Sequence, residues 1–435
     1  MQHVKPDTTS QESKRPYLDS LRGIAAVIVV CTHFLQAFYP YAVFGANYQQ
    51  QTWGESLAHW PPFSLAVAGH FAVCLFFILS GFVLTNGHMQ SHLQPKRRLI
   101  KAMLKRPIRL GGMVAFGTVA SYALLTCGFY FNDQVSALTG SQPWFRSFWP
   151  DSISLRTLAG DLFLNLFSSS EVYNPPMWTI HKELKGSYIV FFYLLFRMHL
   201  KGYQRVICLI VLFLFMRNSL YVGFVIGLAF AELDRIPGMD HFRTSHFALL
   251  SSFALGLLLG MQPHYVQPAH AHTSFVMNAA NKFGTGGCAM FGAMLIFGSV
   301  LWSKQIQRIL NHHLLCYLGS ISYAMYAFHF LLLGSITCWL YLNMIGSLGH
   351  FLATMIAVLL SLIVLLVLSD IVTKTVDRPT NQFSNWLTNR LMPEGNRLSF
   401  AADQLDSVAA GISILEKDGK AADAAPATMP ELGVA

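Results

Sequence analysis

Apolar runs dominate this chain. Of its 435 residues only 12% are charged and 53% are hydrophobic, whereas a soluble domain carries about a quarter charged residues. Runs of that length and polarity lie in lipid, where every backbone N–H and C=O must find a partner within the protein, so the runs have to be helical. The reading is an all-α, polytopic membrane protein with about ten transmembrane helices, near 21–39, 65–87, 110–130, 184–200, 204–218, 219–234, 246–262, 284–302, 315–341 and 350–373. The fourth to sixth are short and closely spaced.

Charge placement orients the helices. With the N-terminus inside, 24 of the 30 Lys and Arg fall on the cytoplasmic side, seven of them between Lys96 and Arg109. The positive-inside rule predicts that bias, and an odd number of spans in the middle of the chain would destroy it. Both termini are therefore expected in the cytoplasm, in a bacterial inner membrane or a eukaryotic one. Residues 1–20 read as a cytoplasmic N-terminal segment, 21–379 as one membrane domain, and 380–435 as a largely disordered cytoplasmic tail with a short amphipathic stretch from Phe383 to Leu391. About twenty polar residues precede the first run with no cleavage site after it, unlike a removable signal. The seven cysteines are scattered through apolar segments without CxxC spacing, as small buried residues are. Residues 131–183 form one long outer segment that carries Gln142-Pro143-Trp144 and Tyr173-Asn174-Pro175-Pro176-Met177-Trp178; loops of that length are functional or disordered, and the aromatic content argues for function.

Inside the first run stand Arg22 and His33, eleven residues apart. Eleven helical steps bring them to within roughly 20° of one face, some 16 Å apart along the axis, and Asp19 falls on nearly the same stripe. An ionisable residue deep in a membrane helix is costly unless it meets a cavity or a partner, and imidazole is the side chain best suited to take a proton near neutral pH.

Six motifs in order then resemble a known family. They are Arg22 with ten residues before His33; Phe76-Phe77-Ile78-Leu79-Ser80-Gly81-Phe82; Arg106-Pro107-Ile108-Arg109; Asn174-Pro175-Pro176-Met177-Trp178-Thr179-Ile180 with Glu183; Ile321-Ser322-Tyr323 with His329; and Asp377-Arg378-Pro379. Together they are similar to the acyltransferase-3 family, from about Arg15 to Pro379. The resemblance implies an integral membrane O-acyltransferase with ten core helices. Such enzymes move acetyl or another short acyl group, usually onto a sugar hydroxyl of a glycan or glycosylated metabolite. The donor would be acyl-CoA, acetyl-CoA foremost, with no tightly bound cofactor. Membrane lipid is a further partner; nucleic acid is not, because no soluble domain presents the basic patch.

The residues take roles accordingly. His33 is the candidate general base for the acceptor hydroxyl, or the residue that handles the acyl group. Arg22 contacts the donor or pairs with an acid, while Asp19 stays open between a functional role and capping as an early-turn residue. Arg106 and Arg109, neighbours on one helical turn, can fork onto the phosphates of coenzyme A. Lys105 is a weaker candidate there, and Lys96, Arg97 and Arg98 serve topology. Asn174 and the two prolines form a rigid extended segment that sets Trp178 against a sugar ring, and Glu183 binds sugar hydroxyls or orients His33. The stretch from Thr179 to Lys185 is more basic than the Trp-Ser-Leu pattern usual before the family's glutamate. His181 is a spare base, and His329 is as consistent with a structural hydrogen bond as with catalysis. Ser80 and Gly81 allow close helix approach. His264, His270 and His272 lack acidic or cysteine companions at ligand spacing, so no metal is expected. Two alternatives stay open: a transporter or flippase of a glycan precursor, which would show repeated halves or broken helices, and an O-acyltransferase acting on a lipid or a peptide.

Overall fold

The computed structural model describes residues 15–89, 95–150, 153–164, 166–168, 172–236, 245–261 and 287–393. The described chain is helical, with no strand among those residues. Ten principal helices are used below: α1 (Pro16–Phe38), α2 (Gly69–Met89), α3 (Pro95–Thr126), α4 (Trp178–Arg197), α5 (Gly202–Met216), α6 (Val222–Leu233), α7 (His246–Gly260), α8 (Gly287–Trp302), α9 (His313–Leu332 and its continuation to residue 348) and α10 (350–372). Gly349, at φ 72° and ψ 171°, separates α9 from α10. Only glycine takes that backbone conformation without strain. Every apolar run expected from the sequence is thus a helix.

Their capacity to span is narrower than expected. By length and composition four helical stretches reach across a membrane: α1, α2, α3 and the run His313–Leu391. A fifth arises if α8 and Lys304–Leu310, bent by 95°, are counted as one span. The expectation of about ten is met only to this extent, for physical reasons. A span needs about 20 apolar residues, whereas α5, α6 and α7 have 15, 12 and 15. In α4, His181, Lys182, Glu183 and Lys185 occupy the first two turns.

Helix directions follow from close backbone contacts. Between α1 and α9 one register holds throughout. Ser20 Oγ donates to Cys316 Sγ at 3.3 Å, Gly23 abuts Gly319, and His33 meets His329, each pair 296 positions apart. A constant offset means the two helices run parallel. Parallel packing also joins α2 and α6, from Gly223 against Phe77 to Arg235, which donates to the Met89 carbonyl. Antiparallel pairs are α7 with α8, through Gly256 against Ile296 and Gly260 against Gly292, and α3 with α4, through Arg106–Ser187 and Gly117–Asn174. Glycines at these crossings let backbones touch, as membrane helices require when dispersion replaces the hydrophobic effect.

Expected as one outer loop, the segment before α4 enters the bundle instead. Asp161 accepts hydrogen bonds from the backbone N–H groups of Val172 and Tyr173. Beyond that clamp Tyr173 and Asn174 are fully buried. The Asn174 amide donates to the Ala327 carbonyl of α9 at 3.2 Å, and the Tyr326 hydroxyl donates to the Pro176 carbonyl at 2.7 Å. Irregular backbone survives at that depth only when enclosed by protein. The amphipathic helix expected near the end is observed as Arg378–Leu391; residues from 385 onward belong to a second unit. The tail beyond 393, like His264, His270 and His272, lies outside the described residues.

Candidate active site

A cavity of about 360 Å³ opens between α1, α2, α3, α4 and α9. Six charged side chains line it: Arg22, Arg106 and Arg109 against Asp19, Glu183 and Asp377. That volume lies at the lower end for small-molecule sites, and the balance of charge keeps the cations from facing one another uncompensated.

The α3–α4 pairing sets the cavity's polar wall. Arg106 forms an ion pair with Glu183, and its Nε donates to Ser187 Oγ at 2.8 Å. Glu183 was expected at the outer face beside Lys182 or Lys185. Because residues 172–177 dip into the bundle, α4 begins at depth and its second turn lies level with Arg106. The two side chains are 12% and 13% exposed, so each charge depends on the other for compensation. Arg22 pairs with Asp19 at 2.9 Å, with 32% and 54% exposure. An ion pair so open contributes little to stability and leaves its guanidinium accessible. Arg109 is exposed at the cavity wall.

Tyr326 of α9 lines the far end of the cavity. Its hydroxyl sits between the Pro176 carbonyl and Thr179 Oγ1, 2.8 Å away. Behind it is His329, whose ring centroid is 5.7 Å from that of Tyr326. His329 Nε2 lies 2.7 Å from His33 Nδ1, and His329 Nδ1 lies 2.7 Å from the Tyr326 carbonyl oxygen. His329 is fully buried, whereas His33 keeps part of its surface exposed. The indole of Trp144 stacks parallel to the His33 ring at 6.1 Å and 15°, and Phe330 meets the ring edge-on at 5.4 Å. One turn past His329 the helix loosens into a π stretch, Leu333–Thr337, a feature frequent at functional sites. Gly334 within it lies against the Trp149 ring.

The expected residues therefore divide. Arg22, Arg106, Arg109 and Glu183 meet in one cavity. His33 stands beyond its Tyr326 end, joined to it through His329. Asn174 acts from within the bundle on α9, two residues before His329, and its Oδ1 has no hydrogen bond among the described residues. Trp178 is not among the residues that line the cavity; it packs against a buried cluster that includes Val73, Phe77 and Phe224, with Lys182 Nζ 5.0 Å from its ring centroid. The aromatic platform at the histidine is Trp144, which the Gln-Pro-Trp motif signalled without revealing its target. Tyr323 and Tyr326 were missed as cavity residues; their only signal was their place in the stretch that leads to His329. Among the described residues no group of three or more His, Cys, Asp or Glu is placed to hold a metal ion.

Comparison with known proteins identifies the family. No solved structure matches the chain. The chain is similar to the O-acetyltransferase PaAT-1 of Phomopsis amygdali, at 21% identity over 427 residues, covering 86% of this chain and 85% of that protein. A family model described as an acyltransferase domain matches residues 15–373, a stretch that holds the cavity's cations, the buried Asn174 segment and both histidines. The chain belongs to the acyltransferase-3 family and is an acyltransferase.

Proposed function

We propose that this protein transfers a short acyl group, acetyl foremost, from acyl-CoA to a hydroxyl of a glycan or glycosylated metabolite. The observation that carries the reading is a cavity lined by three arginines and three carboxylates, with a half-buried histidine one residue beyond its Tyr326 lining, joined to it through His329. The donor enters from the cytoplasmic side. Arg109 and Arg22 meet its phosphates at the mouth, while Arg106, held by Glu183 and Ser187, shapes the wall. The thioester arm lies in the cavity with its carbonyl toward Tyr326. The acceptor arrives on the opposite side, where Trp144 stacks on His33 and offers an indole face to a sugar ring.

His33 takes the proton of the acceptor hydroxyl as its oxygen attacks the thioester carbon. The C–S bond then breaks, and the thiolate leaves with that proton. A hydroxyl is a poor nucleophile until a base relieves it of its proton, which is why the imidazole is required. The topology proposed with this mechanism has ten helices and both termini in the cytoplasm. It is supported by the concentration of 24 of the 30 Lys and Arg on one side, and by the parallel runs of α1 with α9 and α2 with α6, which alternation of direction demands. O-acetyl transfer is supported by the relative's activity.

The test is direct. Purified protein in lipid nanodiscs, given radiolabelled acetyl-CoA and a panel of glycan, lipid and peptide acceptors, is expected to label a sugar hydroxyl. Labelling confined to lipid or peptide would replace the acceptor class. No labelling, with acceptor moved across the membrane, would replace transfer with transport.

A further inference from the structure

The two histidines differ in what their ring nitrogens can do. A carbonyl oxygen can only accept a hydrogen bond. His329 Nδ1, 2.7 Å from the Tyr326 carbonyl oxygen, must therefore carry a proton and donate it. A neutral His329 then has a bare Nε2, and the 2.7 Å approach of His33 Nδ1 to that nitrogen makes His33 the donor. His33 is thereby protonated on Nδ1 and bare on Nε2. No described residue hydrogen-bonds to His33 Nε2, so this lone pair is available to a substrate proton. The hydrogen bond one ring nitrogen makes decides the state of the other.

We propose that His329 is a positioning residue which, anchored to the Tyr326 carbonyl, holds His33 in the tautomer and orientation that present its bare Nε2 to the acceptor hydroxyl. The proposal rests on the acyl-transfer reading above and assigns that reaction's proton to a single atom. As the acceptor oxygen bonds to the thioester carbon, its proton moves to His33 Nε2. His33 becomes an imidazolium, and its Nδ1–H bond to His329 strengthens because the donor is now charged. When the C–S bond breaks, the proton on Nε2 passes to the leaving thiolate and the pair returns to its starting state. No proton is lost or gained. His329 does for His33 what a buried carboxylate does for the histidine of a hydrolase triad, with a neutral acceptor in place of a charged one.

Three features of the fold support this division of labour. His329 is fully buried, so its lone pair has no water to turn to, whereas His33 is half-buried. The shared proton lies on the α1–α9 seam, whose register is set ten residues earlier by Gly23 against Gly319. On its remaining faces His33 meets Trp144 and Phe330, rings that restrict it without offering a competing hydrogen bond.

The experiment uses the full chain in nanodiscs with acetyl-CoA and the acceptor that labels. His329→Phe fills the space without an acceptor atom, while His329→Gln returns a carbonyl oxygen near the place of Nε2. The phenylalanine variant is expected to lose roughly 100-fold to 10⁴-fold in kcat with the acceptor KM within about threefold of wild type, and the glutamine variant to recover at least about tenfold of that loss. Nitrogen-15 spectra of histidine-labelled wild-type protein are expected to show His33 protonated on Nδ1 alone. Wild-type kcat in the phenylalanine variant, or a glutamine variant as inactive as a folded phenylalanine variant, would overturn the proposal. So would a wild-type spectrum with His33 protonated on Nε2, even if neither variant folds. If wild-type protein transfers no acyl group, the acyl-transfer reading falls, and the nitrogen spectrum still decides the tautomer.

Discussion

Gly23→Ala is the smallest change that reaches the active site from a distance. An ideal Cβ at position 23 would lie 2.6 Å from the Gly319 nitrogen, 2.7 Å from the Leu318 carbonyl carbon and 3.0 Å from the Gly319 Cα. These are backbone atoms, so no rotamer change relieves the contact. Non-bonded carbons rest at about 3.5–4.0 Å, and α1 and α9 must therefore part by about 1 Å. Overpacking of this kind costs about 1–3 kcal/mol. The histidine pair lies about 15 Å further along the same seam, and a rigid separation carries the shift to it undiminished. The 2.7 Å contact between His33 and His329 would open to about 3.7 Å, past the limit of a hydrogen bond. Misplacement on that scale can cost a catalytic site about 100-fold. The assay is steady-state acetyl transfer on purified protein, read beside its thermal melting curve. Gly87→Ala in α2 is the control, because nothing lies within 4 Å of a Cβ there, and replacing glycine by alanine in a helix is neutral or mildly stabilising. Wild-type kcat and melting temperature in Gly23→Ala would refute the claim that this crossing sets the histidine register.

Further outcomes are expected. His33→Ala should abolish acetyl transfer while leaving the melting temperature within a few degrees of wild type, and Lys96→Ala should retain most activity; equal activity in both would remove His33 from the chemistry. Arg106→Gln and Glu183→Gln should each destabilise by about 2–4 kcal/mol, because each strands a mostly buried charge, and the double variant by less than the sum; additive effects would show that the pair is not coupled. Burial raises the Asp161 carboxyl above its ordinary value, and the N–H groups of Val172 and Tyr173 offset this only in part. The folded state therefore binds that proton more tightly than the unfolded chain. Stability is then fully present below the unfolded value and is lost as pH rises through the folded one. Hydrogen exchange of residues 172–174 should accordingly show greater protection at mildly acidic pH than at neutral pH, after correction for intrinsic rates; greater protection at neutral pH would reverse the sign.

Local sequence rules reach as far as a single helix or turn. The scarcity of charge established membrane helices, and the eleven-residue spacing put Arg22 and His33 on one stripe of α1. Asn-Pro-Pro marked a break in the helical pattern before α4, although Pro175–Met177 forms a 3-10 turn there instead of the rigid extended segment expected, because proline's fixed φ suits a helical turn as well as an extended one. Each of these follows from hydropathy, helical period or proline geometry, quantities that need no knowledge of distant chain. The count of spanning helices was less legible, because the runs behind α5, α6 and α7 are strongly apolar yet form helices of 15, 12 and 15 residues, short of the roughly 20 that a span needs.

Partners across the bundle were decided only by tertiary packing. Glu183 has Lys182 and Lys185 beside it in sequence, yet it pairs with Arg106, since the descent of residues 172–177 lowers α4 to that level. His329 reads alone as a buried histidine in an apolar helix, and becomes the neighbour of His33 only because two glycines bring α1 and α9 together in a parallel register of 296 residues. Composition and periodicity dictate what a segment is. Which nitrogen meets which, 296 positions away, depends on how backbones touch, and no local rule contains that distance.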